Sequence, residues 1–359
     1  MLLRLKTLAC SALLLVLCVG LAMAGESDAD KPGIHPPGQH QPAPTYKIEA
    51  GIDGEIYPVF ANYASLLAQN DRTFGVVAIT VSNPSPAPLH QRVSVRVSGW
   101  SDEEIQMIDL GAGAKRTLLF APSFLPRFYK NREIIAATVH ISVTDLSGRT
   151  VYETTAPVRL RSSEDMYWGR SFKYAPFIAS WVTPHASEVE ALLAQAKNFT
   201  PDRRLPGYEN WKDEAEQEHE TYIESKAIFT ALKRMGLSYV KSSSTLGEHS
   251  NVSERVRMPR ISLARNSANC IDAAVMYASL FENLGMEPSV VIVPGHAYVG
   301  VRVAQGSSRF LFIDAALTGR TTFEAAVLSG KNGLARRDAA SITQVNIDQA
   351  RSAGIYPMP

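Results

Sequence analysis

The spacing of apolar residues changes character once along this chain, and the change divides it. From about 46 to 165 the period is two. Val77, Ile79 and Val81 alternate with small or polar residues, as do Val93, Val95 and Val97 in "RVSVRVSGW" and Val139, Ile141 and Val143 in "TVHISVTD". Successive side chains of a strand point to opposite faces, so this period predicts half-buried strands. The turn signals "NPSPAP", "GAGAK" and "DLSGR" separate them as a β-sandwich of short antiparallel strands requires. His140 falls on the polar face of one strand, with no ligand set around it in sequence.

After "SSEDMYWGRSFKYAPFIASWVTP" the pattern becomes helical. In "ASEVEALLAQAKNF", Ser187 and Glu190 stand as a capping box and Val189, Leu192, Leu193 and Ala196 form one apolar face. A second helix runs through "EAEQEHETYIESKAIFTALKRMG", with Tyr222, Ile223, Ile228, Phe229 and Leu232 apolar, Gly236 as its stop and His219 on its water-facing, charged part. A third opens at Cys270, carries Ile271, Ala274, Val275, Ala278, Phe281 and Leu284 as its stripe, and stops at Gly285. An apolar strand, Val290 to Val293, and two alternating strands around "QGSS" follow. Helices and strands therefore mix in the second half, and the whole chain is of the α+β class. The two halves predict an all-β, immunoglobulin-like domain over 46–165 and an α+β domain over 166–359.

The opening residues belong to neither half. "MLLRLK" is a basic start, "LACSALLLVLCVGLAM" an apolar core too short to span a bilayer, and Ala22, Met23 and Ala24 a small-x-small cleavage site. Residues 1–24 are thus expected to be a signal peptide cut after Ala24, which places the product in the periplasm or outside the cell. Residues 25–45, "GESDADKPGIHPPGQHQPAPT", form a Pro-rich linker whose His35 and His40 are too few to argue for metal. No later apolar run is long enough to cross a membrane. The formal net charge is +1, with acids and bases interspersed, so nothing marks a nucleic-acid surface. The one basic cluster, "ERVRMPRISLAR" with Arg255, Arg257, Arg260 and Arg265, is expected to be a solvated loop.

Cysteine usage sharpens the picture. Of three cysteines, Cys10 and Cys18 lie in the leader, so Cys270 alone enters the exported product and no disulfide within one chain is expected. A free cysteine is more often a buried structural residue than a reactive one. At the start of a helix, however, a thiol faces the positive helix end, which favours the thiolate. Downstream, His296 and Tyr298 share one strand face, and Phe310, Phe312 and Asp314 share one face of the next. With a turn near Gly306, His296 faces Phe312, Asp314 or Ala316 according to register, so His296 and Asp314 are direct or diagonal neighbours, roughly 5–8 Å apart between backbones. Nucleophile, base and orienting carboxylate are then all present. Nearby, Asp272 is expected to complement the helix end, Asn266 and Asn269 to be turn or cap residues, and Trp181 to pack in the core. The backbone N–H of Cys270 is the better oxyanion donor.

The order "NCIDAAVMYASLFENLGMEP", "PGHAYVGV" and "FLFIDAA" resembles the transglutaminase-like superfamily of papain-type cysteine enzymes, in particular its bacterial exported members. The resemblance covers roughly 170 to 320. It implies a papain-type fold for 166–359, with Cys270 as nucleophile, His296 as general base and acid, and Asp314 as the orienting carboxylate. Ile271 after the cysteine, Tyr298 in place of a usual Trp, and Ala315 and Ala316 in place of Pro-Thr depart from the cross-linking relatives. Hydrolysis of a protein or peptide amide in the cell envelope, through an acyl-thioester, is therefore expected ahead of acyl transfer. No cofactor and no metal are implied. Two rival readings are a non-catalytic envelope binding or scaffold module and a protein modified or stored at its thiol.

Overall fold

The computed structural model describes residues 42–67, 76–209, 211, 213–241 and 252–359. The expected signal peptide, His35, His40 and most of the linker lie outside the described residues. From Pro42 to Pro359 the chain is one compact unit, a mixed α+β fold built on two large hydrophobic cores and a small third cluster.

The first core is enclosed by strands. In chain order the elements are β1 (Thr45–Ala50), β2 (Glu55–Ile56), α1 (Pro58–Leu67), β3 (Val77–Ser82), β4 (Leu89–Val97), β5 (Glu104–Leu110), β6 (Lys115–Phe120), α2 (Pro126–Tyr129), β7 (Ile135–Asp145) and β8 (Thr150–Leu160). One sheet runs β1-β3-β6 and the other β2-β8-β7-β4-β5, with only the β2 and β8 pair parallel. The alternating valines decide which face is inside: Val77, Ile79 and Val81 of one sheet meet Val93, Val95, Val97, Val139, Ile141 and Val143 of the other. A slip of one residue would expose the whole set, so the register is strongly held. His140 stays on the outer face, 2.8 Å from Glu153.

The period-two reading of 46–165 missed α1. Pro58 suits the first helical position, and the spacing of Tyr57, Phe60 and Tyr63 sets the rings on one side. They leave the first core and enter the second. Phe60 lies edge-on to Tyr174 and Phe177 at ring separations of 5.4 and 5.3 Å.

The second core is built from β9 (Asp165–Tyr167), α3 (Ser187–Ala196), α4 (Glu214–Arg234), β10 (Ser238–Tyr239), β11 (Ser253–Arg255), α5 (Pro259–Ala264), β12 (Ser267–Ala268), α6 (Cys270–Asn283), β13 (Pro288–Val293), β14 (His296–Arg302), β15 (Phe310–Ile313), α7 (Phe323–Ala335), β16 (Thr343–Asn346) and α8 (Ile347–Ser352). An antiparallel sheet of order β15-β14-β13-β16 separates two helices. On one side α6 buries Ala274, Val275, Ala278 and Phe281 against Val290, Ile292, Ala297, Val299 and Val301. On the other, Val291, Val293 and Tyr298 meet Leu334 of α7. Gly285 takes the left-handed conformation, φ 72°, that ends α6. Trp181 is wholly buried in this core.

The capping box expected at Ser187 does not form. Ala186 is the capping position, and the Ser187 hydroxyl, one residue too late, donates to Glu188 at 3.0 Å. Helix α4 is capped instead by Asp213, whose carboxylate accepts from the Glu216 amide at 2.9 Å.

A charged seam joins the two cores. Arg161, with no exposed surface, holds Asp165 at 2.9 Å and Glu55 at 3.4 Å, while Arg159 reaches Glu55 at 3.1 Å. Beside it, Arg132 and Arg255 each take one oxygen of the buried Glu164, at 2.9 and 2.8 Å. Among the described residues no helix is long and apolar enough to cross a membrane.

Candidate active site

The site begins where α6 begins. Asn269 accepts from the Asp272 amide at 2.8 Å and Asp272 accepts from the Asn269 amide at 3.2 Å, a reciprocal cap that fixes the first helical turn. Those two amides are therefore engaged. The amide of Cys270, at the first helical position, has no intrahelical carbonyl to meet. Its thiol is free and half-buried.

Asp272 is more than a cap. Its carboxylate accepts from the Arg257 amide at 2.8 Å and pairs with the Arg257 guanidinium at 2.9 Å. Arg257 is buried and Arg255 partly so, which corrects the expectation of a solvated basic loop for these two residues. The physical reason is the buried acid each one meets, Asp272 and Glu164, since a paired guanidinium can enter a low-dielectric setting. Arg265 remains exposed.

The histidine and aspartate come from adjacent strands. Val299 pairs with Ile313 and Gly300 with Phe312. One further step along that register sets Asp314 opposite Tyr298 and diagonal to His296. The side chains close the diagonal: His296 Nε2 lies 3.0 Å from Asp314 Oδ1. The Cys270 side chain is the other polar neighbour of the imidazole, close enough to act on its charge. With Nε2 committed to Asp314, Nδ1 is the nitrogen left for the sulfur. Thus the structure brings Cys270, His296 and Asp314 together, with His296 and Asp314 hydrogen-bonded and Cys270 beside the ring.

Electrostatics follow from these contacts. Burial works against charge on His296, but the hydrogen bonds and charges of Asp314 and Cys270 outweigh it and raise the imidazole from 6.5 to about 9. His296 is an imidazolium at neutral pH. Its ring also stands edge-on to Tyr298 at 4.6 Å.

Helix α7 supplies a residue that the sequence did not single out. Ser329 donates to Asp314 Oδ2 at 2.9 Å, and the Asp314 amide donates to the Ala326 carbonyl at 3.0 Å. The helix can approach so closely because position 330 lacks a side chain: a Cβ on Gly330 would lie 2.7 Å from the Phe312 carbonyl oxygen. A serine within a helix carries no sequence signal of such a role; only docking of α7 on β15 reveals it.

Other site neighbours were also silent in the sequence. Tyr239, 46% exposed, borders Cys270, and partial burial together with the charges of Cys270 and Asp272 pushes its phenol up. Glu254 is raised to about 7 by burial and by the charge of Asp272. Asn266 makes the left-handed turn after α5, φ 49°, and its carbonyl accepts from the Ser238 amide at 2.9 Å. Trp181 packs in the core and lines no cleft. Among the described residues no group of three His, Cys, Asp or Glu could hold a metal ion. No protein-family model, curated protein or solved structure matches the chain.

Proposed function

We propose that the chain is an exported thiol enzyme of transglutaminase-like, papain-type architecture preceded by an immunoglobulin-like sandwich, and that it hydrolyses protein or peptide amide bonds in the cell envelope. The observation that carries this reading is the convergence of Cys270, at the open end of a buried helix, on the hydrogen-bonded pair His296 and Asp314. The imidazolium beside the sulfur stabilises a thiolate. That thiolate attacks the carbonyl carbon, and the oxyanion finds the Cys270 amide as donor. His296 gives its proton to the leaving amine as the carbon–nitrogen bond breaks, which leaves an acyl-thioester. Water then loses a proton to His296 as it attacks the thioester carbonyl, and the returning proton frees the thiol and a carboxylic acid. Asp314 holds the ring in the tautomer and orientation these steps need. Tyr298, where cross-linking relatives carry Trp, favours water over an amine as acyl acceptor.

Alkylation separates the enzyme from its rivals. A thiol-directed peptidyl ketone should label Cys270 in the folded wild type at neutral pH, and His296→Ala should slow labelling by about 100-fold or more. Cys270→Ser should abolish both labelling and peptide hydrolysis. Equal labelling of wild type and His296→Ala, with no hydrolysis of a broad peptide library by wild type, would sink the enzyme reading and leave a binding module.

A further inference from the structure

A groove of ≈ 390 Å³ is lined by Arg132, Lys241, Arg255, Arg257 and Arg265 together with Val240. Five cations line it against the two carboxylates of Glu133 and Glu164. Their duties differ. Arg132 and Arg255 saturate the buried Glu164, and Arg257 answers Asp272, so these pairs hold the walls. Lys241 and Arg265 are exposed, and among the described residues neither has an acidic partner. The groove therefore keeps a surplus of positive charge at its solvent side, where an anion can be met without the burial of an unpaired charge.

Its position is the second observation. The Val240 amide donates to the Ala268 carbonyl at 3.0 Å, and Arg257 spans from the Ser267 carbonyl at 3.2 Å to the Val240 carbonyl at 3.3 Å. Ala268 stands two residues before Cys270, within about 7 Å of chain. The groove wall at Val240 and Arg257 is thus tied to β12, the strand that leads into Cys270. Tyr239, which borders Cys270, and Val240, which lines the groove, are 46% and 47% exposed.

We infer that the groove is the substrate-side subsite for an acidic polypeptide segment, one whose Asp or Glu side chains lie a few residues from the amide presented to Cys270. The inference rests on the proposed function for its orientation and adds the substrate class. It also gives the amino-terminal half a task, since Arg132 from the loop before β7 forms one wall. Lys241 and Arg265 are the discriminating residues: each can take a carboxylate without releasing an internal partner.

Binding tests this apart from turnover. The mature full-length Cys270→Ser protein is titrated, by fluorescence anisotropy, with a labelled, C-terminally amidated peptide carrying internal Asp and Glu, with its Asn and Gln counterpart, and with the neutral peptide bearing a free C-terminal carboxylate. The internally acidic peptide should bind about tenfold more tightly than the amide counterpart, and the gap should shrink as salt rises. Lys241→Glu with Arg265→Glu, both on exposed positions, should erase or invert the preference. Tighter binding of the free-carboxylate peptide would reassign the groove to a chain terminus and overturn the internal-acid inference. Equal affinity for all three peptides, an undiminished preference in the double variant, or an oligonucleotide of matched charge binding as tightly would also overturn it. Failure of Cys270 labelling leaves each of these outcomes readable.

Discussion

Two buried charge clusters in this molecule solve opposite problems. In the seam, Glu55, Arg161 and Asp165 have side chains at most 5% exposed. Burial pushes the Asp165 carboxyl up while Arg161 pulls it back. The central member is a guanidinium, which cannot give up its proton, so the cluster can only hold. In the site, the central member is the His296 imidazole, and it is the more exposed of the ion pair, 24% against 9% for Asp314. A proton can leave that ring and return. The difference lies in the middle residue and its access to solvent, for both clusters have the same pattern of carboxylate against cation.

The largest expected effect on stability is in the seam. Arg161→Met leaves Asp165 buried without its partner and should cost about 3 kcal/mol or more, read as a lower urea midpoint. A cost under about 1 kcal/mol would mean that the cluster is relaxed by water, and the contrast with the site would fail. His296→Ala should lower the same midpoint by less, since this pair reaches solvent where the seam does not.

Next comes the support of the site. Gly330→Ala pushes a methyl against the Phe312 carbonyl and should destabilise by about 1–3 kcal/mol. Because α7 carries Ser329, labelling of Cys270 should slow as well. Lost stability with an unchanged labelling rate would detach α7 from the chemistry.

A pH experiment sharpens the comparison further. His296 is raised from 6.5 to about 9, so its charge stabilises the fold fully below pH 6.5, and this contribution is lost as pH rises through about 9. The melting temperature of wild type should fall across that window. In Asp314→Asn the ring loses its carboxylate partner, its NMR titration should move back toward the ordinary value, and the fall should flatten. Turnover should drop less than in His296→Ala, since the ring still reaches the sulfur. Identical melting profiles for the two proteins would remove Asp314 as the cause.

The smallest effect is expected at Ser329→Ala. It removes one donor from Asp314 and should lower the labelling rate only a few-fold, in line with about 1 kcal/mol for a hydrogen bond to a carboxylate. A loss as large as that of His296→Ala would show that the hydroxyl does more than hold Asp314.

Local pattern carried much of this architecture. The alternation of Val77, Ile79 and Val81, of the valines of β4, and of Val139, Ile141 and Val143 determined strands with one buried face, because a period of two admits no other efficient burial. The stripe from Ile271 to Leu284 and the stop at Gly285 determined a helix opening at Cys270. Parity, together with a turn near Gly306, put His296 and Asp314 on one face. What sequence could not decide depends on which distant surfaces meet. Only the register, Val299 with Ile313, selected the diagonal arrangement over a direct one. Only packing sent the rings of α1 into the second core, buried Arg255 and Arg257 beside Glu164 and Asp272, and set Ser329 behind Asp314. Periodicity reports how an element divides inside from outside, but the partner of a buried polar group is chosen by contacts across residue separations of 15 or 91, to which no local pattern is sensitive.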